Sequence, residues 1–231
     1  ISAARQIVFW SIPIMMLTIV LRAQIVRVVL GAGRFDWQDT RLTAAVLGLF
    51  AFGIFAAALL PLFTRAFFAF HNTKTPVFIN IFSMLINIIL SFLFVGAIVK
   101  LPLLSQRLGS IMKLSDINGV AILGLPLAIT VASIINLVWH WFDLKKYIGD
   151  FGVSEIKKSF LKILTASIIA VIFIYVGLYA FSHVFNTRTV LGLLFQTLCA
   201  GLFGGVAYLA VALVLKMEEI LMLNIPATLL N

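Results

Sequence analysis

Acidic side chains are scarce in this chain, eight among 231 residues, and charged residues of both signs together make up only 11% of it. A soluble domain places about a quarter of its residues in charge, so a water-soluble fold is excluded. Cysteine occurs once, as Cys199, inside an apolar run. A disulfide or a cysteine-based metal site therefore has no second member, and Cys199 reads as a small packing residue. The acidic residues Asp36, Asp39, Asp116, Asp143, Asp150, Glu155, Glu218 and Glu219 all fall in polar breaks or in the tail. No carboxylate pair at membrane depth is left for acid–base catalysis or metal binding, and there is no glycine-rich phosphate loop or zinc spacing. The chain reads as neither an enzyme nor a cofactor or metal carrier.

What is abundant is hydrocarbon. Hydrophobic residues reach 63% and the mean hydropathy is +1.17. Apolar stretches of about twenty residues recur with short polar breaks between them. Backbone amides in lipid must be paired within their own segment or in a closed barrel, and these runs lack the alternation of barrel strands. The expected fold class is all-α, a polytopic membrane helical bundle. Six spans are expected at about 6–30, 41–70, 77–99, 118–142, 160–184 and 190–215, with the stretch from Lys100 to Asp116 as a longer break and Met217 to Asn231 as a short interfacial tail. The chain opens at Ile1 without an initiating Met and enters a span within a few residues, so it reads as a piece of a longer protein.

The net charge of +9 would suggest nucleic acid in a soluble chain. Here the basic residues sit mainly in the breaks, where they meet headgroups, so membrane lipid is the expected partner and nucleic acid is not. Lys145, Lys146, Lys157, Lys158 and Lys162 cluster in one break. By the positive-inside rule that break and both termini are expected in the cytoplasm. Pro13, Pro61 and Pro126 fall inside spans and should kink their helices unless neighbours compensate.

The spans carry few polar groups, and these are patterned. Ser11, Met15, Thr18 and Arg22 share a helical face in the first span. Arg22 at depth costs roughly 2.5–3.5 kcal/mol, and two readings are open: a guanidinium facing a hydrated cavity that attracts an anionic group, or a snorkelling anchor. Asn80, Ser83, Asn87 and Ser91 form a narrow polar stripe on the third span; Thr130, Ser133, Asn136 and His140 form a wider one on the fourth. Cavity lining and interhelical hydrogen bonding both account for such stripes. His140, between Trp139 and Trp141, reads as part of an interfacial belt. Span five is poor in mid-depth polar residues. On span six Gly201 and Gly205 have the spacing that permits close helix packing, so both look like supporting helices.

One string is more specific. Gly33-Arg34-Phe35 precedes an Ala-, Leu- and Gly-rich helix that ends in Arg65-Ala66-Phe67-Phe68-Ala69, followed by Asn72-Thr73-Lys74-Thr75-Pro76. With Arg5, Pro13 and Asn87 at compatible positions, about ninety residues resemble the MurJ/MviN family of lipid II flippases, within the multidrug/oligosaccharidyl-lipid/polysaccharide exporter superfamily. On residue chemistry alone, Thr73 or Thr75 can cap the next helix and Pro76 suits its first turn, while Arg65 and Lys74 mark a cytoplasmic boundary; a tight inter-helix turn also explains this piece.

The resemblance implies two six-helix lobes around a central cavity plus two added C-terminal helices that form a groove for the lipid tail. This chain would hold most of the second lobe in residues 1–146, and the two added spans and tail in 147–231; the N-terminal lobe is its missing partner. The implied substrate is the lipid-linked peptidoglycan precursor, moved across a bacterial inner membrane by alternating access. The family's well-known cavity arginines belong to helices outside this chain, so Arg22 is a candidate from its own chemistry only. The rival readings are a related exporter of another lipid-linked oligosaccharide or a drug, and a non-transporting membrane scaffold.

Overall fold

The structure is a computed structural model, and it describes residues 2–31, 36–117, 119–149, 153–187 and 189–221. Its helices are α1 (Ser2–Leu30), α2 (Trp37–Ala51), α3 (Ile54–Ala69), α4 (Lys74–Lys100), α5 (Pro102–Met112), α6 (Gly124–Ile148), α7 (Val153–Ser182), α8 (Val190–Val214) and α9 (Glu218–Leu221), with a 3-10 turn at Val120–Leu123. Six helical stretches are long and apolar enough to cross a bilayer: Ser2–Leu30, Trp37–Ala69, Lys74–Lys100, Val120–Ile148, Lys158–Ser182 and Val190–Val214. The all-helical bundle expected from composition is what forms.

Residues flanking the helices set their ends. Asp36 starts α2 with a reciprocal capping box: its side chain accepts from the Asp39 amide at 2.8 Å and the Asp39 carboxylate accepts from the Asp36 amide at 3.2 Å. Three helices stop in one way. His71, Lys113 and Lys216 take positive φ, and the next amide closes back five residues, Asn72 to Phe67, Leu114 to Gly109 and Met217 to Ala212. A left-handed residue at this position lets the last carbonyls find donors.

The chain divides into two compact units, 1–20 with 150–231, and 21–149. In the first, α7 and α8 pack through small residues. An added Cβ on Gly177 would come 3.2 Å from Ala200 Cα, and one on Gly204 would come 2.2 Å from Ile174 Cγ1 and 3.2 Å from the Ala170 carbonyl. Gly205 faces open space. The close approach on span six therefore rests on Ala200 and Gly204 rather than on Gly205, because that is the edge the α7 partner touches.

In the second unit α4 and α6 run antiparallel, with Gly124 against the backbone at Val95 and Asn136 beside Asn80. A core of Ala45, Leu49, Ile98, Leu114, Val120 and Leu123 closes one end. The stretch after Lys100 is more than a break. It folds as α5, whose Leu108 and Met112 pack on that core. Arg41 of α2 ties it down with a two-pronged pair to Asp116, at 2.7 and 2.8 Å, and a further bond to the Lys113 carbonyl. The Arg41 hydrogen bonds hold the Asp116 carboxyl below its usual range.

The prolines do not break the spans. Pro13 and Pro61 lie within α1 and α3, and Pro126 sits in the first turn of α6, where its missing N–H is no loss. The second span is instead interrupted at Phe52 and Gly53, where the Gly53 amide bonds Phe50 at 2.9 Å and leaves the Leu49 carbonyl without its helical donor.

Candidate functional site

Thr130 of α6 supplies that missing donor. Its hydroxyl gives a 2.8 Å hydrogen bond to the Leu49 carbonyl, so a broken helix at membrane depth keeps its backbone paired, as hydrocarbon requires. An unwound point is thus stitched to the neighbouring span by one side chain.

The two polar stripes meet. Asn136 donates to Asn80 at 3.0 Å, joining α6 to α4. Ser91 spends its hydroxyl on the Asn87 carbonyl one turn back. Ser83 Oγ, Asn87 Oδ1 and Asn136 Oδ1 are buried without a partner among the described residues, and Ser133 is half-buried. So Asn80, Thr130 and Asn136 bond across helices, while the oxygens left over call for water or a polar ligand. His140 lies on the same side and is fully buried, which corrects its reading as a belt residue; α3 covers it with Phe67, whose ring meets the imidazole edge-on at 5.8 Å. Its Nδ1 donates to the Asn136 carbonyl at 3.0 Å and its Nε2 is another unpaired buried atom.

Arg22 is half-buried on α1 and lies over Gly48 of α2. A Cβ at Gly48 would stand 3.0 Å from Arg22 Cδ and 3.3 Å from Nη1. No hydrogen bond or ion pair engages this guanidinium among the described residues, whereas Arg5 and Arg41 are paired with carboxylates. Gly48, lacking a side chain, thus makes room for the Arg22 guanidinium.

At the α3–α4 turn the cap is Asn72 rather than Thr73 or Thr75. Asn72 Oδ1 accepts from the Thr75 amide at 3.1 Å, and its Nδ2 donates to Thr75 Oγ1 at 2.8 Å and to the Tyr147 hydroxyl at 2.7 Å. Thr73 makes no side-chain cap bond because it already sits in helical φ and ψ. Pro76 is buried in the first turn of α4, and Arg65 and Lys74 are exposed. Gly33, Arg34 and Phe35 lie outside the described residues.

A different feature occupies the first unit. An apolar groove of about 280 Å³ runs between α1, through Trp10, Pro13, Ile14 and Leu17, and the α7–α8 pair, through Ile174 and Leu209 among others. Tyr208, at its edge, donates its hydroxyl to the Phe9 carbonyl at 2.7 Å. Below it a charge cluster is buried. Glu219 is 1% exposed and accepts from Arg5 Nε at 2.9 Å and Ser159 Oγ at 2.7 Å, while Glu218 takes Arg5 Nη1 at 2.9 Å. Burial opposes ionisation of Glu219, but the bonds from Ser159 and Arg5 outweigh it and hold its carboxyl below the ordinary range. The sequence reading missed this residue by leaving every acid in a polar break or in the interfacial tail; the only signal was Arg5, an early basic residue with no acid near it in sequence.

These features, apolar helices long enough to cross a bilayer six times, a stitched break, polar atoms buried at depth and an apolar groove, define a multi-pass helical membrane protein. Its family follows from comparison with known proteins. The family model described as "Lipid II flippase MurJ" matches residues 1–200, and the chain belongs to that family. It is 28% identical to the lipid II flippase MurJ of Thermosipho africanus over 174 residues, 75% of this chain and 30% of that protein. It is 27% identical to a probable lipid II flippase MurJ of Bdellovibrio bacteriovorus over 205 residues, 87% and 34% of the two chains. A probable lipid II flippase MurJ of Rickettsia prowazekii is 38% identical over 77 residues, 33% of this chain and 15% of that protein. The chain thus spans about a third or less of the length of these relatives.

Proposed function

We propose that this chain is the C-terminal portion of a flippase that moves lipid II, a lipid-linked peptidoglycan precursor, across a bacterial inner membrane by alternating access. The family match over residues 1–200 carries this reading. Residues 1–146 belong to the second lobe and 147–231 hold the two added spans and the tail. The N-terminal lobe completes the cavity, and the Lys145–Lys162 break and both termini lie in the cytoplasm. The reaction is transport, with no bond made or broken by the chain.

Each part of the substrate has a counterpart in the residues. A diphosphate suits Arg22, whose guanidinium has no carboxylate partner among the described residues. Hydroxyl-rich sugars suit a vestibule bordered by Asn80, Ser83, Asn87, Ser91, Thr130, Ser133 and Asn136, where buried oxygens lack partners. A long hydrocarbon tail suits the groove beside Trp10 and Ile14. Membrane lipids meet the cytoplasmic boundary at the α3–α4 turn through Arg65, Thr73 and Lys74, with Arg65 and Lys74 next to anionic headgroups and Pro76 buried beneath them.

The test is flipping of fluorescent lipid II by the full-length protein in liposomes, with Arg22→Ala and Arg22→Lys as variants. Removal of the cation should slow flipping at least tenfold, and lysine, which keeps the charge but not the fork, should recover part of it. Unchanged flipping in Arg22→Ala removes Arg22 from the substrate path. No flipping of lipid II by the native protein, with transport of another lipid-linked sugar instead, overturns the substrate.

A further inference from the structure

A buried carboxylate in a membrane protein needs a reason, and Glu219 joins three segments. It stands five residues past the end of the last span. It receives Arg5 from the start of α1 and Ser159 from the start of α7. One helical turn beyond Arg5, the Phe9 carbonyl accepts from Tyr208 of α8, and the Phe9 and Tyr208 rings lie 5.2 Å apart. The next residue, Trp10, is the first of the groove, and Tyr208 lines it too. Carboxylate, arginine, aromatic pair and groove wall are therefore contiguous. Among the described residues, the hydrogen bonds that fasten the first turns of α1 to α8 and α9 lie at one end of the groove.

The α8 side of the groove is lined by small residues. An added Cβ on Gly205 would meet nothing within 4 Å, and Gly201 also lines the groove, so these glycines place no side chain between α8 and α1.

We infer that Arg5 and Glu219 are positioning residues for a long hydrocarbon ligand: their ion pair, seated by Ser159, clamps α1 onto the α7–α8 pair and sets the width of the apolar groove. The inference rests on the groove serving the lipid tail, as proposed above. Charge pairing suits this use. A pair with one exposed side, Glu218, and one buried side, Glu219, is strong enough to hold a helix end, yet is separable by a few bonds, unlike a packed apolar seam.

The test uses this whole chain in phospholipid nanodiscs, in a Cys199→Ser background, with spin labels at Leu17→Cys and Leu209→Cys on opposite walls of the groove. Glu219→Gln should lengthen and broaden the label-to-label distance. Labelling of the groove by a photoreactive undecaprenyl phosphate should fall about fivefold, the scale of a modest coupling between sites. The reciprocal swap, Arg5→Glu with Glu219→Arg, should restore both, which a merely structural loss would not allow. Native distances and native labelling in Glu219→Gln overturn the clamp, as does a swap that restores neither. If Glu219→Gln does not fold, Ser159→Ala decides in its place: a smaller shift in the same direction supports the clamp and unchanged distances overturn it. A groove that widens in Glu219→Gln but is never labelled by the prenyl probe leaves the clamp standing and overturns the tail reading of the groove.

Discussion

Asn72 shows how much one side chain decides at a helix boundary in this protein. It caps α4, binds the Thr75 hydroxyl and holds Tyr147, which stacks on Phe70 at 5.9 Å. Asn72→Ala should cost about 1 kcal/mol or somewhat more, whereas Thr73→Ala should cost close to nothing; thermal unfolding in detergent separates them. The cap was half legible. The sequence marks a helix start within Asn72 to Pro76, but which of several capable side chains does the capping depends on where the preceding helix releases the chain, and that is set by the left-handed turn at His71. Glu219 makes the complementary point about acid. Its folded carboxyl is held below its ordinary range, so the stabilisation is complete above the unfolded value, about 4.3, and drains away as pH falls through the folded value. Glu219→Gln should flatten the acid limb of a stability profile measured against pH, and a limb of native steepness would assign that titration elsewhere.

At the scale of the element, the second span is the instructive one. Composition expects a single long helix kinked at Pro61. The structure keeps Pro61 helical and breaks the span at Gly53, because Thr130 of another helix is available to take the stranded Leu49 carbonyl. Thr130→Val keeps the shape and removes the donor. It should destabilise by about 1–2 kcal/mol, and the Thr130→Ser variant should keep most of the stability. Gly124 governs the neighbouring contact. A Cβ there would come 2.7 Å from the Val95 amide nitrogen, and backbone cannot step aside as a side chain can. Gly124→Ala should therefore cost about 1–3 kcal/mol through α4–α6 separation, while Gly205→Ala, with nothing to meet, should be neutral or slightly stabilising by improved helix propensity. Neither distinction is visible along the chain, where Gly201, Gly204 and Gly205 look alike; what separates them is which edge of the helix the partner covers.

For the molecule as a whole, the surface states its solvent. Phe92, Val176, Tyr179, Leu202 and Val214 are among many large apolar side chains left exposed, an arrangement suited to lipid and unsuited to water. The chain matches only about a third of its relatives' length at most, so under the proposed function a cavity wall is supplied from elsewhere. This chain alone in liposomes should fail to flip labelled lipid II above the protein-free rate, while remaining helical by circular dichroism; robust flipping would mean that residues 1–231 enclose a complete path.

The sequence by itself determined the helical class, the six apolar stretches able to cross a bilayer and, through the string from Gly33 to Pro76, the family, because hydrophobic length and motif spacing are properties of consecutive residues. Only the tertiary structure decided that Glu219 is buried, that His140 is a core residue, that Thr130 serves the backbone of another span and that Asn80 and Asn136 pair. Each of these depends on which groups are brought within about 3 Å across large separations in sequence, and in a medium without water that proximity settles whether a polar group is satisfied.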